Sequence, residues 1–207
     1  MSHHCHTISK MLLQLLLWLL LPASYAWTRN NHKIIEESVL YDGKWRRMIN
    51  RKVQMPSVTA DFAVCQNVGT DKAVIVVAWN STSRTCTMVE EFMPASDSFQ
   101  YGHAAGMVEA KHGRRQATRV AAEHELEEEC RLIGGKDWHL LASNVIMDKY
   151  TTTAITVYLV IDADTVLDSD AKPRDDTEQG MRVVPEVSYA QLKSLLKKGK
   201  MTVVGSW

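Results

Sequence analysis

The sequence predicts an α/β protein built in layers, on three observations. Its first half is strand-rich, a central stretch without glycine or proline is made of strong helix formers, and further strands lead to a late helix. Ile34 to Tyr41 and Trp45 to Met55 flank Asp42-Gly43, the usual punctuation of a hairpin. Val58 to Cys65, Ala73 to Trp79 and Thr85 to Phe92 follow, rich in β-branched and apolar residues and separated by polar turns. Pro94 to Gly106 reads as a loop with room for a short strand at its end. Ala117 to Leu132 is dominated by Ala, Leu, Glu and Arg, and Gly134-Gly135 would end it as a C-terminal cap. Strands are expected around His139 to Met147 and Ala154 to Ile161. An acidic loop, Asp162 to Gln179, leads to a strand at Met181 to Val184, and Ser188 is placed to cap a helix running to about Lys198. No repeat, low-complexity tract or long linker interrupts residues 27–207, which read as one domain.

Residues 1–26 stand apart. The apolar run Met11 to Leu21 follows Lys10, and Ser24 and Ala26 supply the small residues of a signal-peptidase site before Trp27. The run is shorter than the roughly 20 residues that a membrane-spanning helix needs. The expectation is therefore a cleaved signal peptide, no membrane attachment after cleavage, and a protein in the secretory pathway or secreted. An aromatic just after the cleavage site, as in Ala26-Trp27, is also similar to presequences that reach a plastid through the endoplasmic reticulum, the alternative destination.

Acids and bases balance at a formal net charge of +0, so the chain carries no footprint for nucleic acid or an anionic membrane. Lys193 to Lys200 reads as the solvated side of the last helix. Cys5 belongs to the expected signal, as does the cluster His3-His4-Cys5-His6. Cys65, Cys86 and Cys130 remain, an odd number without metal-type spacing, which allows at most one bridge. Asn80-Ser81-Thr82 is a glycosylation sequon if the chain enters the endoplasmic reticulum, and otherwise a polar turn between strands.

The central helix concentrates Glu123, Glu125, Glu127, Glu128 and Glu129. At i, i+3 and i+4, Glu125, Glu128 and Glu129 share one face, while Ala122, Leu126 and Cys130 form a neighbouring apolar stripe that can pack on a sheet. Glu127 is spaced to pair with Arg131. Clustered carboxylates repel one another, and converging hard oxygens suit a divalent ion such as Mg²⁺. On spacing alone such a face reads as solvated surface.

The neighbourhood changes that reading. Ala104-Ala105-Gly106-Met107-Val108-Glu109, a loop, and then Ala121-Ala122-Glu123-His124-Glu125-Leu126-Glu127-Glu128-Glu129-Cys130 resembles the Nudix box, G-x5-E-x7-R-E-U-x-E-E-x-G-U with U aliphatic. The Glu-Leu-Glu-Glu-Glu core matches E-U-x-E-E, and Leu132 matches the final U. Tyr41-Asp42-Gly43-Lys44-Trp45, Val89-Glu90-Glu91-Phe92 and Ala104-Ala105-Gly106 resemble the ADP-sugar or ADP-ribose pyrophosphatase branch. There are departures. His124 stands for the box arginine, Arg131 for the box glycine, and extra residues around Ala110 to Arg115 move the isolated glutamate's place onto Gln116. Where the family pairs that glutamate with the arginine, a hydrogen bond between Gln116 and His124 would be the substitute.

The resemblance implies a Nudix-type α/β/α sandwich, with a mixed, curved sheet between helices and an antiparallel strand region at residues 27–56. It implies that Glu125, Glu128 and Glu129, with the backbone carbonyl of Ala105, hold Mg²⁺ (or Mn²⁺), and that a nucleotide sugar is cut at its pyrophosphate. Glu128, Glu129 and Glu178 are then the catalytic candidates. Glu178, with Asp175 and Asp176 as alternatives, lies on the loop where that branch often keeps a general base. Trp45, Arg47 and Arg51 are candidates for gripping the substrate, with Arg46, Arg114 and Arg115 behind them. A homodimer is implied because the family commonly exchanges its N-terminal strands. Two other readings stay open: hydrolysis of another nucleoside diphosphate derivative, and a catalytically silent secreted module that binds a partner or ligand.

Overall fold

The computed structural model describes residues 31–202, so the expected signal peptide, residues 1–26, lies outside the described residues. The chain divides into two compact units, residues 1–65 and 66–207. In the first, β1 (Lys33–Asp42), β2 (Arg46–Gln54) and β3 (Thr59–Asn67) form a sheet in that order. β1 and β2 pair antiparallel from Lys33 opposite Gln54 to Asp42 opposite Arg47, around the Asp42-Gly43 turn foreseen for them. Gly43 N–H closes that turn on the Arg46 carbonyl at 3.0 Å. Cross-strand ion pairs join Arg47 to Asp42, Arg51 to Glu37 and Lys52 to Glu36. Every residue of β1 is exposed, including Ile34, Ile35, Val39, Leu40 and Tyr41.

The second unit is a mixed sheet with a helix on each face. Its strands are β4 (Lys72–Asn80), β5 (Thr85–Met93), β6 (Ser98–Gly102), β7 (Ala104–Met107), β9 (Asp137–Ile146), β10 (Ala154–Ile161) and β12 (Arg182–Ser188). The order is β12-β5-β4-β10-β9, with β6 added to β5 and β7 to β4. Within this sheet β4 and β10 pair in parallel, Ala154 through Ile161 lying beside Lys72 through Trp79. A small ribbon joins β8 (Leu132–Ile133) to β11 (Asp164–Thr165). The helices are α1 (Ala117–Cys130) and α2 (Tyr189–Lys197).

Alternation along the strands builds two cores. Val74, Val76, Ala78 and Val89 point to one face and meet Ala121, Ala122, Leu126 and Cys130 of α1. Cys86, Met88 and Val187 point to the other and meet Leu192 and Leu195 of α2. Ile75, Ile155 and Val157 form a further buried cluster. The apolar stripe expected on α1 is thus its packing face, and Leu126 there has no exposed surface, at 0%. Ser188 caps α2 as expected, its hydroxyl accepting from Gln191 N–H at 3.3 Å. No helix among the described residues is long and apolar enough to cross a membrane.

Three expectations need correction. Pro94 to Gly106 holds two strands, because Ser98-Phe99-Gln100-Tyr101 alternates apolar with polar and lines up on β5, Phe99 opposite Phe92. β12 continues past Val184 because the ladder skips Pro185 and Glu186 in a bulge, with Glu186 at φ 57. α1 stops at Cys130 because Arg131 takes the left-handed conformation, and Gly134-Gly135 lies beyond β8.

Truncating Leu126 to Ala leaves a cavity between α1 and the sheet. Denaturant unfolding of that variant is expected to lose about 2–5 kcal/mol of stability, with helix content retained at low denaturant.

Candidate active site

The site is set by how α1 lies on a fork in the sheet. β4 pairs with β5 over Ala78 to Asn80 but with β7 over Ala73 to Val76, which brings Ala105 opposite Ile75. The face of α1 that covers this fork carries Glu125 and Glu129, both buried, at 8% and 3% exposure, with Glu128 half-buried beside them. Ala105 N–H donates to Glu129 Oε2 at 2.8 Å. Gly106 is where the Glu125 carboxyl comes closest to β7, since a Cβ built there would fall 2.1 Å from its Oε1. The glycine of the Ala-Ala-Gly turn is therefore a matter of room for a carboxylate.

Further acids gather around these two. Glu178, on a short 3-10 turn Asp176–Glu178, and Glu91, on β5, are both half-buried. Burial pushes the Glu125 carboxyl up to about 8, reinforced by repulsion from Glu128 and Glu178. Burial, and then repulsion from Glu125, hold Glu129 well above the ordinary carboxylate range, against the Ala105 N–H that favours its charge. Burial raises Glu178 as well, with Asp175 the largest neighbouring repulsion, and raises Glu91. The positive charge of Lys111, on the short turn Ala110–His112, opposes the rise at Glu125.

Among the described residues, no three His, Cys, Asp or Glu side chains are gathered closely enough to hold a metal ion on their own. The donors still fit a small hard cation. They are carboxylate oxygens, they destabilise one another unless charge is supplied, and they meet a backbone strand rather than apolar packing. Mg²⁺ binds through one or two carboxylates and keeps several waters, so it does not need a closed protein cage.

Both ends of α1 are built differently from the expectation. Gln116 is the exposed N-cap residue at φ 55, with no side-chain bond, and does not reach His124. The ring beside His124 is His112, delivered by the inserted turn, with centroids 5.0 Å apart and planes 89° apart. His112 is buried and its Nδ1 accepts from Glu109 N–H at 3.0 Å. Burial, then the neighbouring His124, hold its pKa below the ordinary imidazole value.

At the other end, Glu127 pairs with Lys172, not Arg131. The left-handed turn at Arg131 swings its side chain off the helix to Asp168 at 2.7 Å. Its guanidinium also donates to the carbonyls of Glu128 and Lys172, both at 2.8 Å. Arg174 donates to the carbonyls of Glu128 at 3.2 Å, Glu129 at 3.1 Å and Met181 at 2.8 Å, tying the end of α1 to the loop that carries Glu178.

Of the candidate residues, Glu125 and Glu129 meet β7 at Gly106 and Ala105, Glu128 lies beside them on α1, and Glu178 acts on both buried carboxyls by repulsion. Asp175 joins the same electrostatic cluster. Trp45, Arg47 and Arg51 lie in the first unit, where Trp45 is 71% exposed under Lys44 and both arginines are ion-paired, to Asp42 and Glu37. Sequence reasoning missed Arg174, Glu91, Lys111 and His112. Glu91 carried a signal, since it sits on the strand before the box. An open groove of about 620 Å³ lies at the C-terminal end of α1, lined by Arg131, Leu167, Arg174 and Val183 among others, and none of the clustered glutamates lines it.

The architecture is that of a solved structure described as ADP compounds hydrolase, to which this chain is similar over 81% of its own length and 83% of that chain, with a TM-score of 0.61 at 15% sequence identity. The Nudix-type α/β sandwich expected from the sequence is the fold observed. No family model matches the sequence, and no curated protein does.

Replacing Arg174 by Leu leaves the carbonyls of Glu128, Glu129 and Met181 short of a donor. The variant is expected to lose about 1–3 kcal/mol in denaturant unfolding, with amide exchange accelerated first between residues 174 and 181.

Proposed function

We propose that this protein hydrolyses the pyrophosphate bond of a nucleoside diphosphate sugar, of the ADP-ribose or ADP-glucose type, to a nucleoside monophosphate and a sugar phosphate, in a Mg²⁺-dependent reaction. The observation that carries the reading is the burial of Glu125 and Glu129 against Ala105 and Gly106, with Glu128 and Glu178 in the same electrostatic cluster. The fold shared with a structure described as an ADP compounds hydrolase supports the substrate class.

Glu125, Glu128 and Glu129, with the Ala105 carbonyl, would hold Mg²⁺, or Mn²⁺ in its place. When bound, the ion neutralises charge on the pyrophosphate and makes phosphorus easier to attack. Glu178 accepts the proton of the attacking water as its oxygen bonds to phosphorus and the bridging P–O bond breaks. Its raised pKa makes it a stronger base than an ordinary glutamate. Arg174 and Arg131 hold the end of α1, and with it the direction of the carboxylates. Trp45, Arg47 and Arg51 remain the proposed grip on substrate, the two arginines exchanging Asp42 and Glu37 for phosphate oxygens.

The proposed protein is a secreted or secretory-pathway homodimer, or one that reaches a plastid by the same route. The half-exposed apolar side chains of β1, a strand with no partner on its outer edge among the described residues, support self-association. Light scattering of the protein from residue 27 onward is expected to give twice the chain mass, and Leu40→Lys with Val39→Lys the monomer.

With Mg²⁺ present, AMP release from ADP-ribose or ADP-glucose is expected, and chelation abolishes it. Glu128→Gln with Glu129→Gln removes activity and also the rise in melting temperature that Mg²⁺ gives the parent protein. Glu178→Gln lowers kcat by about 10²–10⁴-fold with KM little changed. Equal AMP release by the parent and the double variant would favour a silent binding module.

A further inference from the structure

We propose that Asn80 is a glycosylation site, carrying an N-linked oligosaccharide on its Nδ2 at the tip of the β4–β5 hairpin. Asn80 is the last residue of β4 and is exposed, and Ser81 and Thr82 complete the acceptor sequence in the turn that follows. The side-chain amide is used asymmetrically. Its Oδ1 accepts from Thr82 N–H at 3.0 Å and Ser83 N–H at 2.9 Å, closing the turn. With the oxygen committed to the backbone of the turn, the nitrogen is the amide atom left for chemistry on this exposed residue. Among the described residues, no protein group engages Nδ2 of Asn80 or the hydroxyl of Thr82, the two atoms that define an acceptor.

The turn does not depend on the nitrogen. Asp162 holds it from the adjacent strand end, accepting from both the N–H and the hydroxyl of Ser81 at 2.7 Å. A sugar on Nδ2 therefore breaks no bond of the fold. It also leaves the proposed catalytic fork clear: Ile75 is the β4 residue opposite Ala105, and Asn80 lies five positions further along, roughly 17 Å away.

The donor is a lipid-linked oligosaccharide pyrophosphate of the endoplasmic reticulum. Nδ2 bonds to the anomeric carbon, the bond from that carbon to the pyrophosphate oxygen breaks, the lipid pyrophosphate leaves with the electron pair, and the amide gives up one proton. The inference rests on the secretory reading of residues 1–26, and both destinations considered for this chain pass through that lumen.

The test is translation of the full chain in the presence of endoplasmic-reticulum microsomes, read by protease protection and by electrophoretic mobility before and after a peptide amidase that converts a glycosylated Asn to Asp. Expected is a protected chain whose mobility shift the amidase removes and whose shift is lost in Asn80→Gln and in Thr82→Ala, while Thr82→Ser retains it. Thr82→Ala keeps the turn, because only the Thr82 backbone bonds Asn80. A protected chain with no shift, or a shift that survives both variants, overturns the glycan and leaves the secretory reading standing. A chain neither protected nor shifted overturns both.

Discussion

Two carboxyl groups are pressed against a β-strand in this protein, and the rest of the second unit is arranged to keep them there. Glu125 and Glu129 lie one helical turn apart on the side of α1 that faces β7. Taking either carboxylate out of water is costly, and doing so twice within one turn adds their repulsion. The local compensation is small: one N–H from Ala105, a glycine that makes room, and the more distant charge of Lys111. The helix stays in place because its adjacent stripe, Ala121, Ala122, Leu126 and Cys130, is fully buried on Val74, Val76 and Val89. Apolar packing supplies the stability that the acidic stripe removes, an arrangement common where a fold keeps strained chemistry in position.

The end of α1 follows the same logic. A helix leaves its last carbonyls without partners, and its C-terminal end carries partial negative charge. Here that end lies beside the acid cluster, so both effects disfavour it. Arg131 and Arg174 answer them together, donating to the Glu128 and Glu129 carbonyls and bringing two positive charges to the end of the dipole. Because Arg174 also holds the Met181 carbonyl, the loop bearing Glu178 is tied to the same helix end as Glu128 and Glu129. Residues distant in sequence are thereby held in register.

Periodic features of this architecture were legible in the sequence, and features set by particular contacts were not. The apolar stripe of α1, the Asp42-Gly43 hairpin and the Ser188 cap each follow from spacing or from one residue's conformational habit. The shared face of Glu125, Glu128 and Glu129 could be read in the same way. The burial of Glu125 and Glu129 could not, because it depends on the chain leaving β5 after β6 and pairing with β4 as β7, a tertiary event with no local signature. Arg174 was hidden for a similar reason, since an arginine in an acidic loop looks like ordinary surface until three carbonyls are found around it. The pairing of Glu127 was misread because helical spacing assumes that Arg131 is still helical.

That last residue shows how the helix end is built where the Nudix pattern that the sequence resembles has a glycine. A glycine at the end of a helix is suited to the left-handed conformation, and Arg131 adopts it at φ 57, ψ 38. For a residue with a Cβ this costs on the order of 1 kcal/mol. Three hydrogen bonds to carbonyls and the pair with Asp168 are available to offset that cost, and none of them exists for a glycine. At His124 the change is also answered nearby: the inserted turn brings the buried His112 ring edge-on to it, with centroids 5.0 Å apart. Both substitutions therefore alter how α1 is anchored. The oxygens of Glu125 and Glu129 are positioned by their contacts with β7 and by the packing of the apolar stripe on the sheet.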